Sequence, residues 1–142
     1  MKLSDAERYP LADGYATFRR EIGYLRVEEH GNPADADEML RYFAAIERAL
    51  GRTQLRALLI VAQRTARDPA SPRWAAIREA RWRALAGSRA DRVAVIVDDE
   101  LGVTRVQMGA VVAKAPVRGF VAVHDAVAWL TSERPVKGPP AG

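Results

Sequence analysis

Ala57-Leu58-Leu59-Ile60-Val61-Ala62 is the stretch that decides the fold of this chain. Its residues are all apolar and do not alternate with polar ones, which predicts a strand that is covered on both faces. Such strands lie at the centre of parallel sheets, because the crossover connections place helices against the sheet. A second run of this kind, Val93–Val97, follows later in the chain. The two runs together predict an α/β protein with a mostly parallel sheet.

A helical pattern precedes each of these two strands. The first helix is predicted to start at Asn32-Pro33, with Asn32 as the N-cap, and to stop at Gly51. Its buried stripe recurs at helical spacing and consists of Met39, Phe43, Ile46 and Leu50. The second helix is predicted to start at Ser71-Pro72 and to end at Gly87. These two helices are the crossovers that parallel strands require.

The two ends of the chain complete the order of elements. Tyr15–Val27 alternates like a β-hairpin, and Gly119–Val123 has the composition of a last strand. Two shorter helices are predicted around that strand, so the order is β-β-α-β-α-β-α-β-α. It predicts a single-domain mixed sheet of about five strands with four helices, over residues 12–131. Residues 1–11 are expected to form an N-terminal extension, and residues 132–142 a flexible tail rich in proline and glycine.

The composition excludes several classes of protein. No run reaches the ~18–20 apolar residues of a membrane span, and the first residues lack the apolar core of a signal peptide. The chain has no cysteine, so it has neither a disulfide framework nor a thiolate metal site. We therefore expect a cytoplasmic protein, and no residue pattern predicts a metal or another cofactor.

The positive charge of the chain is concentrated in one segment. The formal net charge is +4, and residues 64–92 alone hold eight arginines against three acids, together with Trp74 and Trp82. Two interpretations are open. Both tryptophans pack on the sheet beneath solvated arginines, or the second helix is a contact surface, since arginine and tryptophan are enriched at interface hot spots. The uneven charge also suits pairing between two copies of the chain.

The loop that follows the Ala57–Ala62 strand is the candidate binding site. Ligands of open α/β sheets bind at the carboxyl ends of the strands, and helix N-termini attract anions. The candidate residues are Arg64, Thr65, Arg67 and Ser71 in the loop and Arg78 and Trp82 in the helix. The loop arginines and the serine hydroxyl together suit a phosphate or a carboxylate. The simpler alternative is that the serine only caps the helix and that the arginines are solvated.

Catalytic motifs are missing from the chain. It has no Ser-His-Asp order, no Gly-x-Ser-x-Gly elbow, no HExxH and no glycine-rich phosphate loop. Asp98-Asp99-Glu100 follows the Val93–Val97 strand, but solvated acids at a helix start explain this trio better than a metal site does. We therefore predict a protein without enzymatic activity. The lack of a helix-turn-helix or similar motif also disfavours nucleic acid as a partner.

The last predicted helix contains Asp125-Ala126-Val127-Ala128-Trp129-Leu130, and this pattern completes a resemblance to a known family. Together with the opening hairpin, the acidic-capped helix and the two apolar strands, it resembles the STAS fold of anti-sigma-factor antagonists, specifically the SpoIIAA-like group. The resemblance covers about residues 12–131 and implies a cytoplasmic binding or regulatory module. In the signalling members, a serine in an Asp-Ser-x-Gly-type loop is phosphorylated. This chain lacks the aspartate and the glycine of that motif, so Thr65 and Ser71 are positional candidates only.

Two functions follow from the sequence. The first is a STAS-like module that binds a protein partner or a small anionic ligand through the Arg64–Ser71 loop and the basic helix. The alternative is a carrier of a small hydrophobic ligand or a lipid, because STAS and Sec14-type domains share this α/β design. An apolar pocket between a helix and the sheet would favour the carrier, whereas a solid core under an exposed Arg/Trp face would favour the protein partner.

Overall fold

The computed structural model describes residues 6–62 and 71–132. Within them the chain forms six strands and four helices. In chain order these are β1 (Glu7–Leu11), β2 (Asp13–Arg20), β3 (Leu25–Asn32), α1 (Ala36–Thr53), β4 (Ala57–Ala62), α2 (Pro72–Ala86), β5 (Arg92–Ile96), α3 (Glu100–Ala113), β6 (Val117–Phe120) and α4 (Val123–Thr131).

The strands form one mixed sheet in the order β1-β2-β3-β4-β5-β6. The first three are antiparallel to one another, and β3 to β6 run parallel. The predicted single-domain mixed α/β fold with four helices is therefore confirmed. The sheet has six strands rather than about five, because Glu7–Leu11 lies within the expected N-terminal extension and yet pairs with β2. Pro10 obscured this strand in the sequence, but an edge strand tolerates proline because one of its sides needs no donor.

The sheet carries two unequal layers of helices. Each parallel strand lies beside the preceding one, so right-handed crossovers place α1, α2 and α3 on the same face. Leu58 and Ile60 of β4 join the core beneath these three helices. Leu59 of the same strand points to the other face, where it packs against Ala126 and Leu130 of α4. The continuous apolar run of β4 is thus explained, because Leu58, Leu59 and Ile60 point alternately to the two faces and are all fully buried.

The start of α1 differs from the prediction. Asp35, not Asn32, is the N-cap, and its Oδ1 accepts a hydrogen bond of 2.8 Å from the backbone N–H of Glu38. Asn32 is instead the last residue of β3. The Glu38 side chain reaches back and accepts a hydrogen bond from the Ala34 N–H at 2.5 Å, which satisfies a second donor at the helix start. Both residues are polar and favourable as caps, so the sequence alone did not separate them.

The end of α1 also lies beyond the predicted stop. The helix continues through Gly51 to Thr53, and Gln54 ends it in the left-handed conformation with φ of 57°. Gly51 has a different role, because a Cβ at this position would come within 2.6 Å of the Arg89 guanidinium. The glycine therefore permits a close approach by the loop after α2 rather than ending the helix.

Within residues 6–62 and 71–132, no helix combines the length and the apolar character that a bilayer crossing requires.

Candidate ligand-binding site

A cavity of about 340 Å³ lies between α2 and the carboxyl ends of three neighbouring strands. Glu29 and Asn32 border it at the end of β3, Ala62 at the end of β4, and Val95 at the end of β5. The inner sides of the helices in the three-helix layer form the remaining walls. In open parallel sheets, ligands bind in the crevice at this end of the strands. The cavity is thus in the position that the fold favours for a binding site.

Most of the wall is apolar. Met39 comes from α1, Ile77 and Leu85 come from α2, and Val106 comes from α3. Trp82 adds an aromatic side, and its ring packs so closely on α3 that a Cβ at Gly109 would lie 2.4 Å from the ring atom Cζ2. The glycine in α3 therefore allows the indole to fill the space between the two helices. The cavity keeps one fixed aromatic wall as a result.

A largely buried ion pair forms part of the cavity wall. Arg81 of α2 binds the Glu29 carboxylate with both terminal nitrogens, at 3.0 Å to each oxygen. Tyr42 of α1 donates its hydroxyl proton to the same carboxylate at 2.7 Å. The pair is largely removed from water, with side-chain exposures of 10% for the glutamate and 20% for the arginine. Three elements are therefore joined through one carboxylate.

The electrostatics of this cluster hold its members in fixed states. Burial raises the pKa of Tyr42 well above its ordinary value, and the adjacent Glu29 charge raises it further, so the hydroxyl stays a donor. Burial alone would lower the pKa of Arg81, but the charge and hydrogen bonds of Glu29 raise it overall. Arg81 is therefore a permanent cation, and only two of its five N–H donors are used by the carboxylate.

Two of the predicted site residues line this cavity. Arg78 and Trp82 both border it, as residues of the basic helix. Ser71 is the N-cap of α2, as the sequence predicted, but its side chain makes no capping hydrogen bond and it does not line the cavity. Arg64, Thr65 and Arg67 lie outside the described residues. The part of the prediction that concerns the loop therefore stays a prediction.

The two tryptophans of the basic helix are half-buried. Trp74 and Trp82 both pack against the core beneath the three-helix layer. The outer side of the helix carries exposed arginines, of which Arg83 pairs with Glu79 at 2.8 Å. The interpretation with tryptophans packed inward fits this arrangement, although Trp82 also borders the cavity.

Sequence reasoning missed the three residues of the buried cluster. A signal for Glu29 exists, because Leu25, Val27 and Glu29 alternate along β3 and so share the face that meets the helices. A signal for Arg81 also exists, because it lies four residues from both Ile77 and Leu85 on the buried side of α2. The two residues are 52 positions apart, however, and only the packing of α2 beside β3 brings them together.

The acidic trio after β5 serves the start of α3. Asp99 is the N-cap, and its Oδ1 accepts a hydrogen bond of 2.9 Å from the Gly102 N–H. In the part of the chain that the structure describes, no three His, Cys, Asp or Glu side chains converge as a metal site would require. The trio therefore has a structural explanation in helix capping.

Comparison with known proteins shows little similarity. No family model and no curated protein matches the chain. Among solved structures, T. thermophilus RuvC in complex with Holliday junction substrate is similar at 17% sequence identity and a TM-score of 0.31. The aligned region covers 91% of this chain and 76% of the RuvC chain. The STAS-like resemblance stays a prediction, since none of these comparisons tests it.

The RuvC similarity corrects one prediction. From the missing catalytic motifs we expected a protein without enzymatic activity, whereas this similarity is to an enzyme, since RuvC is bound there to its substrate. We therefore withdraw that expectation. A TM-score of 0.31 assigns neither a fold family nor an activity to this chain.

Proposed function

We propose that this chain binds and carries a small amphipathic anion in the cavity beside α2. The observation that supports this proposal is the cavity itself, of about 340 Å³ between a helix and the sheet. Its volume lies at the small end of the ~300–1,000 Å³ typical of ligand sites. Its walls are mostly apolar, and a few charged and polar side chains border it, which is the usual composition of a small-molecule site.

The chemistry of the lining indicates the class of ligand. Met39, Ile77, Leu85 and Val106 suit an aliphatic body, because burying apolar surface is the main favourable term in such a site. Arg78 also borders the cavity and carries a guanidinium group there. Such a group binds an anionic head group through charge-assisted hydrogen bonds. A medium-chain carboxylate meets both conditions.

The cavity favours the carrier over the protein-binding module, the two functions that the sequence suggests. An apolar pocket between a helix and the sheet was the feature expected to favour a carrier, and the cavity beside α2 has this form. A protein partner that docks on the loop remains a prediction, because Arg64, Thr65 and Arg67 lie outside the described residues. A cytoplasmic location and a regulatory role remain predictions as well.

The proposal is tested by titrating the full chain with decanoate and, as the uncharged probe, with decanol. Arg78→Ala should raise the decanoate dissociation constant by about tenfold, because one charge-assisted contact is lost. Its effect on decanol should be small. Arg83→Ala is the matched control, since Arg83 is exposed on the same helix but does not line the cavity. This control should bind both probes as the unmodified chain does.

A third variant tests the location of the site. Val95→Phe places a larger side chain in the cavity wall and should abolish binding of both probes while the chain remains folded by circular dichroism. Failure of decanoate and decanol to bind at about 1 mM would refute a carrier of this class. Equal losses in Arg78→Ala and Arg83→Ala would place binding on the outer surface of α2 instead.

A further inference from the structure

Helix α3 is apolar on both sides, although within residues 6–62 and 71–132 only one of its sides packs against other elements. Its inner side packs on the sheet and on α2 through Val106, Gly109 and Ala110. Its outer side exposes Leu101 at 57%, Met108 at 64%, Val111 at 69% and Val112 at 84%. A helix that is hydrophobic all round is normally buried on all sides. The outer side of α3 therefore has the composition of an interface.

The position of α3 leaves room for another element. The helix layer runs α1, α2, α3, with α1 packed on α2 and α2 on α3. α3 is thus the last helix of the layer, next to the edge strand β6. A further helix placed against its outer side would extend the layer by one position.

The exposed apolar residues form a stripe that suits an antiparallel helix. Leu101, Met108 and Val112, with the stem of Arg105, are spaced at three or four residues and so share one side of α3. If two copies of α3 pair about a two-fold axis, Leu101 of each lies opposite the second copy's Val112. In the same register Met108 lies opposite the second copy's Arg105, whose guanidinium extends past it to water.

The charges at the two ends of α3 fit the same register. Glu100 lies at the first position of the helix and Lys114 is its C-cap, and both are exposed. In an antiparallel pair, Glu100 of each copy lies beside the second copy's Lys114, so both ends gain an ion pair. Within residues 6–62 and 71–132, the structure gives neither side chain a salt bridge to any other residue. The opposed helix dipoles add a further attraction.

We infer that the outer side of α3 is a two-fold contact between two copies of this chain. Each copy contributes the same stripe and the same two end charges, as an isologous interface requires. The acidic start of the helix, Asp98 to Glu100, disfavours an anionic lipid surface as the occupant. This contact is separate from the cavity beside α2, because its residues lie on the opposite side of α3.

Sedimentation equilibrium of the full chain tests the inference through a charge exchange. The unmodified chain should dimerise, and Lys114→Glu or Glu100→Lys alone should weaken the dimer by about tenfold, because each places like charges at both ends. An equimolar mixture of the two variants should dimerise like the unmodified chain, since one copy of each restores opposite charges. Recovery in the mixture requires that the partner is a second copy in this register.

A second pair of variants tests the apolar stripe. Val112→Lys should abolish dimerisation, whereas Ile22→Lys is the matched control, since Ile22 is 94% exposed in the turn between β2 and β3. Decanoate binding should be unchanged in Val112→Lys. The experiment therefore tests the contact between two copies independently of the proposed carrier function.

Two results would overturn the inference. A chain that stays monomeric at about 100 µM has no such contact of useful strength. Binding of the monomeric chain to vesicles of phosphatidylglycerol, lost in Val112→Lys, would identify a lipid surface as the occupant instead.

Discussion

Glu29 and Arg81 form an ion pair where apolar side chains would also fit. The pair lies between Val27, Ile77 and Leu85, all of which are fully or almost fully buried. Removing two charges from water costs several kcal/mol, and replacing a buried pair by apolar residues is often neutral or stabilising. The ion pair therefore need not stabilise the fold more than two apolar side chains would. Its place on the cavity wall fits a role in binding polar groups.

Removal of one partner of this pair should be strongly destabilising. Arg81→Met leaves the Glu29 carboxylate buried without its cation, and we expect a loss of about 3–5 kcal/mol in the free energy of unfolding. Arg81→Met combined with Glu29→Met should recover part of that loss, because no charge then remains buried. The recovery is incomplete, since the buried Tyr42 hydroxyl loses its acceptor. Urea denaturation of the unmodified chain and of the variants measures both quantities.

Arg83→Ala provides the control for this comparison. Arg83 is exposed on the same helix, and its surface pair with Glu79 should contribute less than ~1 kcal/mol. An Arg81→Met variant that is no less stable than Arg83→Ala would mean that Glu29 is solvated rather than buried.

The contact between α2 and α3 depends on a residue that weakens α3 as an isolated helix. Gly109 costs about 1 kcal/mol in helix propensity relative to alanine. Its position explains it, because the Trp82 ring occupies the space where a Cβ would lie. The glycine therefore decides how close the two helices come and where the aromatic wall of the cavity stands.

Gly109→Ala should displace the Trp82 ring. The added Cβ would lie 2.4 Å from Cζ2 and 2.7 Å from Cε2, which no real packing accommodates. Overpacking of this kind costs ~1–3 kcal/mol, partly offset by the better helix propensity of alanine. We expect a net loss of stability, measured by thermal denaturation, and a shift in tryptophan emission. In the Trp82→Phe background the same change should cost less, because the smaller ring leaves space. An equal cost in both backgrounds would show that the indole is not the obstacle.

The elements show which parts of the fold a sequence determines. β4 and β5 were predictable because a continuous apolar run reports burial directly, whatever the neighbouring elements are. β1 was not predictable, because Glu7, Arg8 and Pro10 carry no such signal and the strand is specified by its pairing with β2. Arg78 and Trp82 were predicted near the carboxyl ends of the strands, and both line the cavity there. Their role in binding stays a prediction. Glu29 and Tyr42 were not predictable, since their contact depends on the register of elements distant in sequence.

At the scale of the whole molecule, the two faces of the sheet are covered unequally. Among residues 6–62 and 71–132, three helices cover one face from β1 to β6, whereas α4 covers the part of the other face around β4, β5 and β6. Over β2 and β3 that second face carries polar and aromatic side chains, such as Tyr15 stacked on His30 at 5.0 Å. Protection from solvent should therefore be greatest at β4 and fall toward β1.

Hydrogen exchange of the backbone amides should show this gradient. Leu59 and Ile60 are fully buried on opposite faces of β4, and the strand pairs with a neighbour on each side. Their amides should exchange only through global unfolding, and so most slowly. The β1 amides should exchange much faster, because this edge strand pairs only with β2 and its outer residues are exposed. Exchange of the β1 amides as slow as that of the β4 amides would mean that the edge of the sheet at β1 is covered in solution. If this slow exchange were lost when the protein is diluted, the contact between two copies would lie at β1 rather than at α3.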